Sequence, residues 1–271
     1  MTDHKRYTDA NRIAWNEAAP YHKKNRPDDL HAIFAQPGAS TLDEIVTPRL
    51  LELGLSGKRV AQICCNNGRE LISLVNLGAA GGVGFDISDA FIAEANELRD
   101  IAGADCTFIR TDVLDIDPQD YPPFDLVYIS IGALCWLPDL NAVFRIVRGL
   151  LQPGGHLVIY ETHPFANMLA FPGEENFDPE HPANIAVPYF HDKPLEYCDG
   201  LDYYGMEEYD GSVKYEFLHT LGDILNAIAG NGMRLISFDE YEHDICNLLG
   251  HIEGVARPPL SYILVARAEQ A

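Results

Sequence analysis

The chain has 271 residues, 47% of them hydrophobic, enough for one large domain or a domain with an inserted segment. Its 41 acidic residues against 19 basic ones leave a formal charge of -22, which repels phosphate backbones and anionic membranes, so the expected partner is a small molecule and neither nucleic acid nor membrane. Six cysteines without a C-x-x-C pair, a polar start from Met1 to Arg26 and no apolar run of the ~18 residues a span needs indicate a reduced, cytoplasmic setting.

In chain order, Asn11–Ala19 has the composition of a short helix that Pro20 interrupts, with Tyr21 and His22 directly after it. Charges and prolines from Lys23 to Gln36 predict a loop or lid. Leu42, Ile45, Val46, Leu50 and Leu53 recur at helical spacing, so a helix is expected over Thr41–Leu53, stopped by Gly54.

The stretch Val60–Asp86 organises the rest. Val60–Cys65 is an apolar run suited to a strand buried on both faces, and Asn66-Asn67-Gly68 tolerates the left-handed angles of a sharp turn. A helix from Arg69 with Leu71, Leu74 and Val75 on one side ends at Gly78, and a second strand, Val83–Asp86, ends in a carboxylate placed to grip a ribose diol. These residues resemble the class I S-adenosylmethionine-dependent methyltransferases, small-molecule type, whose first motif, V-L-D-L-G-C-G-x-G, is similar to Val60–Gly68. The family's acidic residue falls at Gln62 and its first two glycines at Cys64 and Asn66, leaving Gly68 as the retained one.

The resemblance implies an α/β, Rossmann-like, doubly wound seven-stranded mixed sheet with S-adenosyl-L-methionine as cofactor, to which the residues after the fifth strand add an inserted cap. That cofactor would lie over Gln62, Cys64, Asn66 and Gly68, with Asp86 and Ile87 at the ribose. The leading helix would bring Tyr21 to the cofactor and Trp15 to the substrate; the other open reading is a helix merely packed on the sheet.

Ser88 is an N-cap for a helix carrying Phe91, Ile92, Ala95 and Leu98 inward, and Cys106–Arg110 is the third strand. After it, Asp112 and Val113 occupy the position that in the resembling family meets the adenine; the alternative is an Asp capping a turn. A fourth strand, Phe124–Ile129, runs out through Ser130, a further cofactor candidate, toward Trp136, a substrate candidate, because ligands of open α/β sheets bind beyond the carboxyl ends of the strands. A helix over Asp139–Leu151 breaks at Gln152-Pro153-Gly154-Gly155 before a fifth strand, His156–Tyr160.

Six prolines and many aromatics between Glu161 and Ser212 predict a substrate cap, with Tyr203 and Tyr204 among its candidate contacts. A capped helix from Thr220 and two strands, Met233–Phe238 and Leu260–Ala266, complete the chain. The expected division is an N-terminal helix and lid over 1–40, a core over 41–163 and 213–271, and the cap over 164–212. Candidates for a base are His163, Glu161 and His219, needed only if the acceptor carries a proton. No ligand spacing indicates a metal. Two further classes stay open: a non-catalytic binding protein of the same fold, and an NAD-dependent dehydrogenase, against which stands the missing G-x-G-x-x-G fingerprint. A monomer or homodimer is expected; the acceptor atom is not legible.

Overall fold

The computed structural model describes residues 4–172, 174, 176–255 and 257–270. In chain order these form helices α1 (His4–Asn25), α2 (Leu30–Phe34) and α3 (Val46–Glu52), strand β1 (Arg59–Ile63), α4 (Arg69–Asn76), β2 (Gly81–Asp86), α5 (Asp89–Ala102), β3 (Cys106–Arg110) and β4 (Phe124–Ser130). Then follow α6 (Leu140–Leu150), β5 (Leu151–Thr162), the hairpin strands β6 (Leu195–Asp199) and β7 (Asp210–Glu216), α7 (Leu221–Gly230), β8 (Met233–Tyr241) and β9 (Ser261–Ala268). Seven strands make one sheet in the order β3-β2-β1-β4-β5-β9-β8. The first five are mutually parallel, and β9 and β8 close the edge antiparallel.

Alternation along the central strands builds the two cores. Ala61, Ile63, Val127, Ile129, Leu157 and Ile159 face α6 and α7, where Phe144, Val147, Ile224 and Ile228 meet them. Their neighbours Val60, Leu126, Tyr128, Val158 and Tyr160 face the other way, against Leu50 of α3, Leu71 and Leu74 of α4 and Ala95 and Leu98 of α5. Each such aliphatic side chain contributes about 1.5–3 kcal/mol by leaving water. The parallel strands all end at one edge, where the loops after β1, β2, β3 and β4 converge.

The structure departs from the sequence-based expectations at several places, and strand β5 already begins at Leu151, running through the Gln152–Gly155 stretch expected as a break. Helix α1 runs through Pro20 instead of stopping there, because Ala18 and Ala19 before it and His22 after it are all buried, and that packing outweighs the ~3 kcal/mol a proline costs inside a helix. The predicted lid over Lys23–Gln36 contains α2, whose Leu30 and Phe34 are core residues. Helix α3 starts at Val46, not Thr41: Asp43 accepts from the Ile45 N–H at 2.7 Å, and the Thr41 N–H goes to Ser73 Oγ at 2.9 Å, so the donors of that stretch are already committed. The segment expected to be irregular over 164–212 holds the β6–β7 hairpin, and β7 crosses the expected boundary to Glu216.

That hairpin is fastened to α1. Asn11 accepts from the Tyr215 N–H at 2.7 Å and donates to the Tyr215 carbonyl at 2.9 Å, both buried. Glu17 accepts from the N–H and hydroxyl of Ser212, at 2.8 and 2.6 Å, and Tyr7 packs edge-on against Tyr215 and Phe217. The N-terminal helix and the inserted hairpin thus form one cover over the loop edge of the sheet.

Candidate active site

The turn after β1 keeps an open, left-handed backbone although two of its three such residues are not glycine. Cys64 has φ 54°, Asn66 φ 49° and Gly68 φ 72°. At Gly68 the freedom is required twice over, since a Cβ there would sit 2.3 Å from the Phe108 ring. The Cys65 N–H donates to the Phe85 carbonyl at 3.0 Å and the Gly68 N–H to the Cys65 carbonyl at 2.8 Å. Asp86, at the tip of β2, accepts from the Asn66 N–H at 2.8 Å and from the Ser88 N–H at 2.9 Å, with Ile87 between them. Burial pushes its carboxyl up, and these backbone donors oppose the shift. Helix α1 lies across this point, where Asn16 accepts from Ser88 Oγ at 2.7 Å.

Beyond the turn stands a carboxylate that the sequence pattern did not single out. Glu70, in the first turn of α4, accepts from Gln62 Nε2 at 2.8 Å and from the Ser130 hydroxyl. Gln62 Oε1 is buried with no partner among the described residues. Burial raises the Glu70 pKa; Ser130, Arg69 and Gln62 hold it back. Asp112 is buried after β3, accepts from the Leu114 N–H at 3.0 Å and faces Lys5 Nζ of α1 at 3.6 Å; Val113 beside it is buried too. Burial, and after it the negative charges of Asp86, Asp112 and Glu161, push the Cys64 thiol up.

The aromatic candidates meet around His22. The Trp15 ring lies edge-on to Trp136 at 5.1 Å, to Phe91 at 5.8 Å and to His22 at 5.8 Å. Tyr203 and Tyr204 approach His22 at 4.3 and 5.4 Å. His22 Nε2 donates to the Leu201 carbonyl at 2.5 Å, while Nδ1 is buried without a partner among the described residues. Tyr21, the neighbouring candidate, turns outward and stacks on Tyr209 at 4.2 Å.

The three proposed bases have other engagements. The Glu161 carboxylate accepts from the N–H groups of Gly132, Ala133, Leu134 and Thr162 at 2.5–3.1 Å, holding the loop after β4. His163 Nδ1 accepts from the Phe165 N–H at 3.0 Å, and Nε2 lies 3.1 Å from Glu240 but out of line for a hydrogen bond. His219 Nε2 donates to the Leu137 carbonyl at 2.8 Å. Burial lowers the pKa of both histidines. A carboxyl that sequence reasoning missed, Glu216, lies on the face of β7 opposite Tyr215 and Phe217 and acts on the Cys135 thiol beside Trp136. Burial pushes it up to about 7, and no hydrogen bond engages its side chain among the described residues. Its only sequence signal was alternation on a strand the pattern did not predict. Among the described residues no three His, Cys, Asp or Glu side chains gather as a metal would require, and no helix is long and apolar enough to cross a membrane.

Residues 61–157 match the family described as a methyltransferase domain. Indolepyruvate C-methyltransferase of Streptomyces griseus is 30% identical over 132 residues, 47% of this chain and 40% of that protein. The curated relatives are matched over only 32–40% of their own length. Among solved structures, an S-adenosylmethionine-dependent methyltransferase from Mesorhizobium loti superposes with TM-score 0.60 at 23% identity, over 82% of this chain and 97% of that one. The CcbJ methyltransferase of Streptomyces caelestis gives 0.64 at 14%, over 97% and 100%. The fold is therefore that of the solved S-adenosylmethionine-dependent methyltransferases, and residues 61–157 are similar to a methyltransferase domain.

Proposed function

We propose that this methyltransferase-fold chain moves a methyl group from S-adenosylmethionine to a small-molecule acceptor. The observation that carries the reading is Glu70. The family motif has an acid where this chain has Gln62, and an amide cannot balance the charge of a methionine ammonium; the Glu70 carboxylate, 2.8 Å from that amide, can. The other features fit the cofactor as well. Left-handed Cys64, Asn66 and Gly68 keep the turn open where the motif has glycines, and the unpartnered Gln62 Oε1 is an acceptor in reserve.

In this reading Glu70, Gln62 and Ser130 hold the amino-acid end, Asp86 and Ile87 the ribose, and Asp112 and Val113 the adenine. S-adenosylmethionine supplies a methyl on a sulfonium sulfur, open to direct displacement. The chain's part is to align the acceptor and keep water out, which is worth up to ~7–11 kcal/mol. Helix α1 and the hairpin provide the cover, with Trp15, Trp136, Tyr203 and Tyr204 at the acceptor. Glu161 and His219 hold the loop after β4 in place, and His163 fixes the exit of β5. Where the acceptor carries a proton, Glu216 is the group suited to take it, uncommitted and titrating near neutrality. Indolepyruvate, in the name of the Streptomyces griseus relative, belongs to the acceptor class we envisage. We place the protein in the cytoplasm on composition alone.

A thermal shift with S-adenosylmethionine, S-adenosylhomocysteine and NAD side by side tests this. A ligand at a hundredfold its Kd adds about 2.7 kcal/mol, several degrees for a chain of this size. A rise with the two adenosyl ligands alone is expected. A rise with NAD would make the chain a dehydrogenase, and no rise at all a binding module without this cofactor.

A further inference from the structure

We infer that the chain carries an anion-binding site away from the cleft, where Arg234 of β8 and Arg267 of β9 together take a phosphate group borne by a small molecule. The two residues face each other across the β8 and β9 pair, and His156 of β5 stands opposite Arg267 on its other side. Three basic side chains therefore share one row on one face of the sheet. Like charges set directly opposite each other weaken a strand pair, and no acid offsets them: among the described residues neither arginine has a carboxylate at ion-pairing distance. Other arginines of this chain do find one, Arg26 with Glu94 at 2.6 Å, Arg49 with Asp239 at 2.6 Å and Arg257 with Glu242 at 2.5 Å.

Both arginines line a cavity of about 460 Å³, together with Gly154 and the chain from Ala268 to Gln270. Arg267 is held in place there: its Nε donates to the Gly154 carbonyl at 3.2 Å, and a Cβ on Gly154 would stand 3.2 Å from its Nη2. Glu269 lines the same cavity, with its N–H on the Gly232 carbonyl at 3.1 Å and its carbonyl on Arg148 at 2.6 Å, yet its carboxylate pairs with neither arginine. Burial, then the charges of Lys58 and Arg267, hold His156 below its ordinary pKa, so the anion falls to the two guanidinium groups. Two planar forks on adjacent strands suit a tetrahedral dianion, which offers oxygens to each, whereas a lone carboxylate satisfies one fork. The charge of -22 carried by the whole chain repels polyanions, which leaves a phosphate on a small molecule. His156 stands level with Leu126, near the start of β4, and the cleft loops follow the other ends of the parallel strands. The site is thus separate from the cleft and does not depend on the reaction run there.

The test is a calorimetric titration with inorganic phosphate, and separately with citrate, both at ionic strength fixed by sodium chloride. It is run on the wild type, Arg234→Gln, Arg267→Gln and Arg267→Lys, and on Arg145→Gln, which removes an exposed positive charge from α6. Circular dichroism confirms that the variants fold. The wild type is expected to take up a single phosphate per chain with a Kd of about 1 mM or tighter. Each glutamine variant at 234 or 267 should weaken that binding at least ~10-fold and Arg267→Lys by less, with Arg145→Gln unchanged. A wild type without saturable phosphate uptake overturns the proposal, as does full affinity in either Arg234→Gln or Arg267→Gln. An equal loss in Arg145→Gln would reduce the effect to overall charge and overturn it too. Citrate bound as tightly as phosphate, and lost in the same variants, would give the site to carboxylates and withdraw the phosphate assignment.

Discussion

Glu70 lies 8 positions after Gln62 in sequence yet meets it side chain to side chain. Read along the chain, an acidic residue in the first turn of a helix is ordinary, because it suits the helix dipole. Only the tight turn through Cys64, Asn66 and Gly68 brings it back over the end of β1. The motif's glycine slots and the acid at Asp86 were legible because each is local; the replacement of the motif's lost carboxylate was not, because it depends on how the turn closes. Glu70→Gln keeps an oxygen to accept from Ser130 and Gln62 but removes the charge. Calorimetry should show S-adenosylhomocysteine binding weakened about tenfold, or ~1.4 kcal/mol, with the melting temperature near that of the wild type. Undiminished binding would remove Glu70 from the cofactor site.

At the level of elements, the strands were legible and the cover was not. Central strands announce themselves by mainly apolar runs, which two-sided burial demands, and those of β1 and β4 fall close to where expected, as does the edge strand β3. Helix α1 could not be delimited, since its passage through Pro20 depends on a hairpin about two hundred residues away in sequence, with 204 positions between Asn11 and Tyr215. The hairpin itself was hidden by prolines and by a pattern that leaves β6 mostly exposed. If the two form one cover, Asn11→Ala should loosen both together. The change orphans a buried N–H and a buried carbonyl on Tyr215, at about 1–3 kcal/mol each. Hydrogen exchange should then quicken in α1, β6 and β7 while β1, β4 and β5 keep their protection. Unchanged protection in β7 would mean that Glu17 and Tyr7 suffice, and that Asn11 is not the clasp.

For the whole molecule, the balance of buried titrating groups sets the response to pH. The doubly wound sheet was implied by the resemblance that Val60–Asp86 carries, but this balance follows from which groups the fold encloses. Burial raises Glu216 to about 7 from an ordinary 4.5, and raises Glu70, Glu161 and Asp86 in the same direction. A raised carboxyl holds its proton better folded than unfolded, so its contribution is complete below the unfolded value and is lost as pH climbs through the folded one. His22, His163 and His219 have the opposite effect: burial keeps them neutral, below the ordinary 6.5, so their contribution is present above that value and is lost as pH falls beneath it. The exposed carboxylates that partners lower, such as Asp89 and Glu97, change protonation only in more acid solution. Relief of self-repulsion in a chain of charge -22 adds to the first trend. The melting temperature should therefore rise as pH is lowered from 8 toward 6.5, then turn over as the histidines begin to charge. Glu216→Gln should flatten the limb between 6.5 and 8 and leave the acid limb in place. A wild type most stable at pH 8, or a Glu216→Gln variant with the same slope, would show that Glu216 is ionised in the folded protein well below neutrality, and would withdraw it as the proton acceptor of the cleft.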